Sequence, residues 1–377
     1  MRICDVVKNS VWYDPRVRKQ LLEYAAHPQA DVVCVGLKDV RFRQKDVDAL
    51  PCPVILADAI QPKKRSIFGK IHRELSTNRA IYKAIVNAAP DVIHANDLNA
   101  LIPAYKARKK LGCRLIYDTH EIFTENPWIA RNPLVKAVWS FFERKIIRKV
   151  DLVVCVSHAA GRYLQKKYDI PAPMVVTNCI RAAEQCFDSP KAEQKELLNH
   201  GQFYEGRGYE TMIQAAPLLA DLPDLQVVIR GLGPKEDELK ALAEETAAPN
   251  FRFDPPVKVN ELVPAAARAW AGVAITEAIS LNFKLSVSNK LFEYAAAGLP
   301  IIMSDIPEHR YLNDIYNFGI ILENDSPEAL AKAAQQLYED PDLYVKCAAG
   351  SVRMSKEINW EADFAKLIAA EVKLCSR

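Results

Sequence analysis

Several features are missing from this 377-residue sequence, and each absence excludes a class of protein. No run approaches the roughly 18–20 consecutive apolar residues that a membrane-spanning helix needs, and the opening residues Met1–Asp5 are too polar for a secretory signal peptide. The nine cysteines include no C-x-x-C pair, so buried reduced thiols are expected rather than disulfides or a zinc site. The sequence therefore predicts a cytoplasmic protein.

Two common phosphate-binding glycine motifs are also missing. The turn after the first strand, residues 7–16, contains no glycine, whereas a dinucleotide fingerprint needs G-x-G-x-x-G at that place. A Walker-type G-K-[ST] triplet is absent as well. An NAD-dependent dehydrogenase is therefore disfavoured.

The charge of the chain is unevenly distributed. The formal net charge is +3, but residues 1–180 hold 30 Lys and Arg against 17 Asp and Glu, and residues 181–377 hold 20 against 30. An asymmetry of this size predicts an anionic partner for the N-terminal half. Nucleic acid is not the expected partner, because the basic half lacks interleaved aromatic residues and a recognised reading motif.

Short apolar runs rich in Val and Ile alternate with amphipathic segments along the whole chain, as at residues 31–35, 91–93 and 151–156. Such strands, alternating with helices, are typical of a parallel sheet that is covered on both faces. We predict an α/β fold of two doubly wound, Rossmann-like domains. Their expected bounds are 1–180 and 195–358, with a linker at about 181–194 and a C-terminal helix at about 359–377 that packs back on the first domain. Because ligands bind at the carboxyl ends of such strands, the site is expected between the domains.

One helix of the first half is clearly amphipathic. Apolar residues recur at helical spacing at Val135, Val138, Trp139, Phe142 and Ile146, which predicts the buried side. Four cations take the other side: Arg144, Lys145, Arg148 and Lys149. That basic side is interpreted as an ordinary solvated face.

Two segments of the second half carry candidate nucleotide-binding residues. Three glycines fall within residues 201–208, between a strand and a helix, and with Arg207 they would suit a diphosphate. Ser288 or Asn289 is expected to cap a later helix, in which a carboxylate at Glu293 would accept hydrogen bonds from two vicinal hydroxyls. A bare glycine turn and an exposed helical glutamate are the alternative interpretations.

These segments resemble one family. The run 288–302, the Gly-x5-Arg-Gly loop at 201–208 and the Gly231-x-Gly233-Pro turn are similar, in this order, to the retaining, nucleotide-sugar-dependent glycosyltransferases of family four, which have the GT-B fold. Four segments of the first half resemble the same family: 91–97, 117–121, 154–157 and 175–178. The resemblance implies a metal-independent transferase with two Rossmann-like domains facing across a cleft.

The resemblance also implies roles for single residues. Glu293 matches the glutamate that binds the donor ribose, Arg207 the basic residue that holds the diphosphate, and His120 a histidine that faces the donor sugar; these three are the catalytic candidates. Two positions depart from the family pattern: Leu285 stands where a further glutamate is usual, and Gln202 where an arginine is usual.

Further candidates surround these three. Those expected on the donor side are Gln202, Gly206, Gly231, Gly233, Val257, Lys258, Ser288, Asn289, Lys290 and Leu291, and those on the acceptor side are Asn9 and Arg16. Lys290 or Arg16 is expected to compensate for the missing arginine. No cofactor or metal is implied, and the expected donor is a UDP-sugar or, as second choice, GDP-mannose.

The acceptor is expected to be a saccharide or a lipid-linked saccharide. Cations surround two apolar residues in the segment Lys63, Lys64, Arg65, Ile67 and Phe68, a pattern that suits peripheral contact with an anionic membrane on its inner face. A charged surface loop is the alternative. At the level of function, a nucleotide-sugar epimerase or phosphorylase of the same fold and a catalytically silent nucleotide-sugar-binding partner of an envelope-assembly complex stay open.

Overall fold

The computed structural model describes residues 1–38, 42–58 and 67–376, and at 67, 68 and 70 only the backbone. The chain divides into two compact units, Met1–Val176 with Asp363–Arg377, and Thr177–Ala362. The predicted linker, about residues 181–194, lies in the second unit. No helix within the described ranges combines the length and the apolar character that crossing a membrane requires.

The first unit is built on a seven-stranded parallel sheet. Its strands are β1 (Arg2–Val7), β2 (Asp31–Lys38), β3 (Val54–Asp58), β4 (Val92–Asn96), β5 (Arg114–Thr119), β6 (Leu152–Cys155) and β7 (Met174–Val175). They lie in the order β3-β2-β1-β4-β5-β6-β7, so the direction of winding reverses between β1 and β4. Ligands of doubly wound sheets bind beyond the carboxyl ends of the strands at this point.

Seven helices cover this sheet: α1 (Pro15–Ala26), α2 (Gln44–Asp48), α3 (Ile67–Ala88), α4 (Asp97–Leu111), α5 (Pro127–Ala130), α6 (Pro133–Ile146) and α7 (His158–Tyr168). Their starts follow local sequence signals. The Asp14 carboxylate accepts a hydrogen bond from the Val17 amide at the start of α1, and the Ser157 hydroxyl does the same for Ala160 at the start of α7. The expectation of buried thiols holds for Cys4, Cys34 and Cys155, which lie in strands, whereas Cys52, Cys113 and Cys186 are partly buried and Cys375 is exposed.

The second unit contains a six-stranded parallel sheet. Its strands are β8 (Lys195–Gln202), β9 (Leu225–Leu232), β10 (Phe251–Asp254), β11 (Ala271–Ala274), β12 (Ile301–Met303) and β13 (Gly319–Ile321). The order is β10-β9-β8-β11-β12-β13, and the winding reverses between β8 and β11. The predicted fold class, two doubly wound parallel α/β domains, is confirmed.

Helices follow each strand of this sheet: α8 (Tyr209–Ala215), α9 (Glu236–Thr246), α10 (Leu262–Ala267), α11 (Leu281–Leu285), α12 (Asn289–Ala296), α13 (Pro307–Tyr316), α14 (Pro327–Glu339), α15 (Pro341–Glu357) and α16 (Trp360–Cys375). Proline in the first helical turn starts α13, α14 and α15, where a missing amide hydrogen costs no hydrogen bond. Most of α16, from Asp363 onwards, belongs to the first unit.

Helix α6 departs from its predicted packing. Val138, expected on the buried side, is 56% exposed, whereas the Glu143 side chain is fully buried. The Tyr117 hydroxyl donates to the Glu143 carboxylate at 3.0 Å, and the Tyr168 hydroxyl donates to its other oxygen. Because these two phenols solvate the carboxylate inside the unit, the helix packs through the side of Glu143 and Ile146, and the prediction for Val138 is wrong.

Candidate active site

The donor-side candidates of the second unit meet where its winding reverses. Lys290 Nζ, in the first turn of α12, donates to Asn199 Oδ1 at 2.5 Å, and Asn199 Nδ2 donates to the Arg207 carbonyl at 3.2 Å. Asn199 lies near the end of β8, and Arg207 lies in the turn that leads from β8 into α8. One amide side chain thus joins the glycine turn to the start of α12.

Glu293 is held from the same strand. His200 Nε2 donates to Glu293 Oε2 at 2.7 Å, and the backbone amide of His200 donates to the hydroxyl of Tyr294 at 3.0 Å. The His200 ring is buried, whereas the Glu293 side chain is 17% exposed. The carboxylate is therefore fixed by a buried partner while part of it faces outwards.

Arg207 and Lys290 are two cations close enough to disfavour each other's charge. Burial, and then the neighbouring charge of Arg207, lower the pKa of Lys290 to about 7. Burial also lowers the pKa of Arg207, whose guanidinium lies 4.7 Å from the centroid of the Phe283 ring. Neither cation forms a salt bridge within the part of the chain that the structure describes. A buried Lys290 and a partly buried Arg207, neither with a bound carboxylate among the described residues, make this place electrostatically suited to an anion.

The start of α12 adds to this preference. Ser288 occupies the N-cap position, as expected, but its side chain caps none of the first amides of the helix. Asn289, the first helical residue, is exposed, and Leu291 is buried against the unit. The unsatisfied amides and the positive end of the helix dipole favour a negatively charged ligand.

The glycines keep the ends of β8 and β9 close together. Gly206 has φ +76°, in the left-handed region that a side chain disfavours. A Cβ at Gly231 would lie 1.9 Å from the Gly201 carbonyl oxygen of the paired strand. Gly233 follows β9 directly, and Gln202 is the exposed last residue of β8. Backbone, rather than side chains, therefore lines this edge.

Two donor-side candidates lie further along the sheet. Val257 and Lys258 follow β10, which is separated from β8 by β9. The Lys258 side chain is 82% exposed, and its ammonium lies 3.8 Å from Glu261. The polar contacts of Lys258 in the described residues are with Glu261 and not with Arg207 or Glu293, so the donor-binding role of Val257 and Lys258 stays a prediction.

In the first unit His120 directly follows β5, at the carboxyl end where it was expected. Its Nε2 donates to Asn96 Oδ1 at 3.0 Å, and its backbone amide donates to Asp97 Oδ1 at 2.9 Å. Burial opposes the charged imidazole, but the carboxylates of Asp97 and Asp118 outweigh it and raise the pKa of His120. The side chain is 16% exposed, so the imidazole is accessible at the end of the sheet.

Asn96 and Asp97 position this histidine. Asn96 Nδ2 donates to Asp5 Oδ1 at 2.5 Å and to the Val6 carbonyl at 3.2 Å, which turns the amide oxygen towards His120. Asp97 has φ +65°, a conformation that costs energy for a residue other than glycine. Sequence reasoning did not single out either residue, although polar side chains at the end of a buried strand were a usable signal.

The two acceptor-side candidates differ in exposure. Asn9 is exposed just beyond β1 and donates to Asp14 Oδ2 at 2.9 Å. Arg16 is only 3% exposed; its Nη2 donates to Asp118 Oδ2 at 2.9 Å, and its Nη1 donates to the Val176 carbonyl at 3.0 Å. This fork is engaged inside the unit, and contact between Arg16 and an acceptor stays a prediction.

Behind Arg16 lies a buried polar network that sequence reasoning missed. His94 bridges Asp118 and Glu371, each at 3.3 Å, and Tyr24 donates to Glu371 at 2.6 Å. Burial disfavours the charged imidazole, but the hydrogen bonds to both carboxylates prevail and raise the pKa of His94 to about 10. The network ties α16 to the sheet from which His120 extends.

A large groove of the first unit lies away from this chemistry. Its volume is about 870 Å³, and its lining includes Met1, Asp91 and Arg114, which stand at the amino ends of β1, β4 and β5. Ligands of doubly wound sheets bind at the opposite, carboxyl ends. Volume alone therefore does not identify the site.

Two other predictions concern a metal-binding site and the segment that contacts a membrane. Among the described residues no group of three or more His, Cys, Asp or Glu side chains could hold a metal ion. The proposed membrane segment falls mostly outside the described residues: Lys63, Lys64 and Arg65 lie beyond them, and Ile67 and Phe68 are described by backbone alone.

Two family models match the chain. Residues 16–183 match the model "Glycosyltransferase Family 4", and residues 194–340 match "Glycosyl transferases group 1". Similar curated proteins are a D-inositol 3-phosphate glycosyltransferase of Thermobispora bispora, 23% identical over 74% of this chain and 69% of that one, and a phosphatidyl-myo-inositol mannosyltransferase of Mycolicibacterium smegmatis, 24% identical over 78% and 74%.

Solved structures show the same fold. A sucrose-phosphate synthase from Thermosynechococcus elongatus superimposes with a TM-score of 0.80 at 16% identity, over 100% of this chain and 99% of that one. The Anabaena protein HepE in complex with UDP-glucose gives a TM-score of 0.75 at 14% identity, over 99% and 100%. At these identities the likeness shows the GT-B fold and no more.

Proposed function

This chain belongs to the family 4 and group 1 glycosyltransferases, and from that premise we propose the reaction that it performs. The enzyme moves a hexose or a related sugar from a nucleoside-diphosphate donor to a saccharide or lipid-linked saccharide acceptor in polysaccharide or glycan biosynthesis. Transfer proceeds with retention at the anomeric carbon and without a metal ion.

The observation that carries this proposal is a pair of cations in the second unit, the buried Lys290 and the partly buried Arg207. Arg207 and Lys290 lie beside the uncapped start of α12, and neither forms a salt bridge among the described residues. A diphosphate supplies the missing negative charge and accepts hydrogen bonds from the helix amides. Lys290 thereby stands in for the arginine that Gln202 replaces.

The same cations serve the chemical step. The bond that breaks joins the anomeric carbon to a diphosphate oxygen, and negative charge builds on that oxygen as the sugar becomes oxocarbenium-like. Arg207, Lys290 and the amides of α12 are preorganised to stabilise this charge. The departing phosphate oxygen takes the proton of the acceptor hydroxyl, which bonds to the anomeric carbon on the same face.

Glu293 and His120 bind the rest of the donor in this proposal. Glu293, held by His200 at 2.7 Å, accepts hydrogen bonds from the ribose hydroxyls. His120, oriented by Asn96 and with a pKa raised by the Asp97 and Asp118 carboxylates, forms a hydrogen bond with a hydroxyl of the transferred sugar. Because both groups are fixed by buried partners, they lose little freedom when the donor binds.

For the donor we propose a UDP-sugar first and GDP-mannose second. The first choice is supported by the structural similarity to HepE, which was solved with UDP-glucose. The second is supported by the similarity to a mannosyltransferase. The acceptor is proposed to meet the basic first unit, with peripheral contact to an anionic membrane near the start of α3, where Ile71 and Leu75 are exposed.

A thermal-shift screen with UDP, GDP, ADP and dTDP, followed by a nucleotide-sugar panel, tests the proposal. We expect one nucleoside diphosphate to raise the unfolding temperature, and the matching nucleotide sugar to yield free nucleoside diphosphate and a glycosylated acceptor. Binding of a nucleotide sugar without release of nucleoside diphosphate would instead support the catalytically silent binding partner. The departures from the family pattern at Leu285 and Gln202 are consistent with that alternative. Conversion of the sugar nucleotide without transfer would identify an epimerase.

A further inference from the structure

Helix α6 and the short helix α5 before it expose an unusual amount of apolar surface. Leu134 is 85% exposed, Trp128 65%, Phe141 59% and Val138 56%. These are large side chains that normally find cover in a folded protein, and here four of them lie within fifteen residues of chain. A cluster of this kind marks a surface that meets a partner.

The geometry of α6 places three of them on one stripe. Leu134, Val138 and Phe141 are spaced by four and three residues, so they share one side of the helix. Glu143 and Ile146 mark the opposite side, which is buried in the unit. A helix that is apolar on its outer side as well as its inner side is expected to contact a second apolar surface outside the unit.

The charged side chains around this stripe are mostly basic, and two of them have acidic partners: Lys136 lies 2.7 Å from Glu125, and Arg148 lies 3.8 Å from Asp169. Residues 127–149 contain six cations: Arg131, Lys136, Arg144, Lys145, Arg148 and Lys149. Their one acidic residue, Glu143, is fully buried and hydrogen-bonded to Tyr117 and Tyr168. Lys145 lies 5.5 Å above the Phe141 ring, so the basic and apolar groups form one surface.

The neighbouring helix widens the basic zone. Helix α4 packs against α6, and its Lys106, Lys109 and Lys110 are exposed. A second copy of the same surface would bring cations against cations, which disfavours self-association through it. Apolar groups that can insert, a tryptophan and exposed cations such as Arg144 and Lys145 are what a bilayer with anionic headgroups recognises.

We propose that α5 and α6 dock on an anionic lipid bilayer, with Trp128, Leu134 and Phe141 entering the headgroup boundary and Arg144 and Lys145 contacting lipid phosphates. This inference rests on the proposed function in one respect: a lipid-linked acceptor is what would make docking useful. These residues are not those of the segment 63–68, which the sequence indicated for membrane contact.

Flotation of the full chain with vesicles tests the docking. We expect binding to equimolar phosphatidylcholine and phosphatidylglycerol, weakened by 0.5 M salt, and at least about tenfold less binding to phosphatidylcholine alone. Arg144→Gln with Lys145→Gln should lower binding roughly tenfold to thirtyfold, and Leu134→Ser with Phe141→Ser should lower it at least as much. Val345→Ser is the matched control, since Val345 is 64% exposed on α15 of the second unit.

Trp128 provides a readout that does not depend on sedimentation. Lipids brominated near the headgroups should quench the emission of the full chain, and Trp128→Phe should remove most of that quenching. Equal binding to both vesicle types, wild-type binding by the Leu134 and Phe141 double variant, or a dimer in light scattering that this variant abolishes would overturn the proposal. All substitutions are at exposed positions, and thermal melts check that each variant folds.

Nucleoside-diphosphate release in solution separates this proposal from the proposed function. If the chain binds anionic vesicles but releases no nucleotide from any donor, docking stands and the transferase proposal fails. If it releases nucleotide but ignores lipid charge, docking fails and the transferase proposal stands. The docking variants should keep wild-type release, because their residues lie outside the donor-binding cluster.

Discussion

The two units differ in how they hold the cations nearest to their candidate site residues. In the first, Arg16 faces Asp118, and His94 lies between Asp118 and Glu371, so each buried cation contacts a carboxylate. In the second, Arg207 and Lys290 are neighbours of like sign without a salt bridge in the described residues. A compensated network holds a structure, whereas an uncompensated pair carries an energetic cost that an anionic ligand removes.

This difference assigns separate tasks to the two sheets. The first unit uses its buried charges to fix β5 and α16, and so the place from which His120 projects. The second pairs Arg230 with Asp254 at 2.9 Å but leaves Arg207 and Lys290 without a salt bridge among the described residues, and in our proposal these two serve the substrate. Substituting a buried charge of the first unit should therefore lower the free energy of unfolding, whereas substituting Arg207 in the second should lower turnover.

Arg207→Ala should have the largest effect. Removing a preorganised cation from the leaving group is expected to lower turnover by roughly two to four orders of magnitude, with unfolding little changed because no salt bridge is broken. Initial rates of nucleoside-diphosphate release measure it. Arg268→Ala, at an exposed position of the same unit, is the control, and an unchanged rate in Arg207→Ala would refute its role.

Asp118→Asn should instead act on stability. It leaves Arg16 and His94 buried without their shared carboxylate, and loss of one partner from a buried pair costs about 3–5 kcal/mol. Urea unfolding, followed by a probe in the first unit, measures the shift of the midpoint. Asp169→Asn is the matched control, because that carboxylate is 95% exposed and lies 3.8 Å from Arg148. Equal midpoints for the two variants would contradict a supporting role of the network.

The fold was largely predictable because it depends on periodic signals. Apolar runs mark the strands at 31–35, 151–156 and 225–230. The two-residue strand Met174–Val175 was missed, since two residues carry no pattern. Helix α6 was found, but its inner side was misassigned, because sequence spacing cannot show that two distant tyrosines will solvate Glu143.

The site was predictable only where a motif fixes the backbone. The glycine turn, the N-cap at Ser288 and the strand end before His120 could be placed from local sequence. The partners of these groups come from other strands: His200 for Glu293, and Asn96 for His120. Such pairs depend on register across a sheet, which one sequence does not reveal.

Lys290→Met should change how the stability of the second unit depends on pH. The unfolded lysine keeps its proton to about pH 10.4, whereas burial and Arg207 lower the pKa of folded Lys290 to about 7. Between these values the unfolded chain binds more protons, so wild-type stability rises with pH. The variant lacks this rise and should be more stable than wild type by a few kcal/mol at pH 7, with the gap closing towards pH 10.

Unfolding of the second unit at pH 7, 8.5 and 9.5 measures that gap, and Lys240→Met, on the exposed side of α9, is the control. Nucleotide affinity should fall in Lys290→Met while stability rises. Calorimetry at pH 8 in buffers of different ionisation enthalpy should also detect proton uptake when wild type binds its nucleotide. A gap independent of pH, or an absence of proton uptake, would show that Lys290 is not the uncompensated cation.

Lys258→Ala should have the smallest effect. Its side chain is 82% exposed and close to Glu261, so water screens its charge and the donor KM should change less than about threefold. Glu293→Gln, by comparison, removes a charge that His200 holds in place and should raise the donor KM about tenfold or more. If Lys258→Ala raised the donor KM as much as Glu293→Gln does, the burial of a charged side chain would not predict whether it binds the donor. The segment after β10 would then have to approach the nucleotide more closely than its recorded contacts indicate.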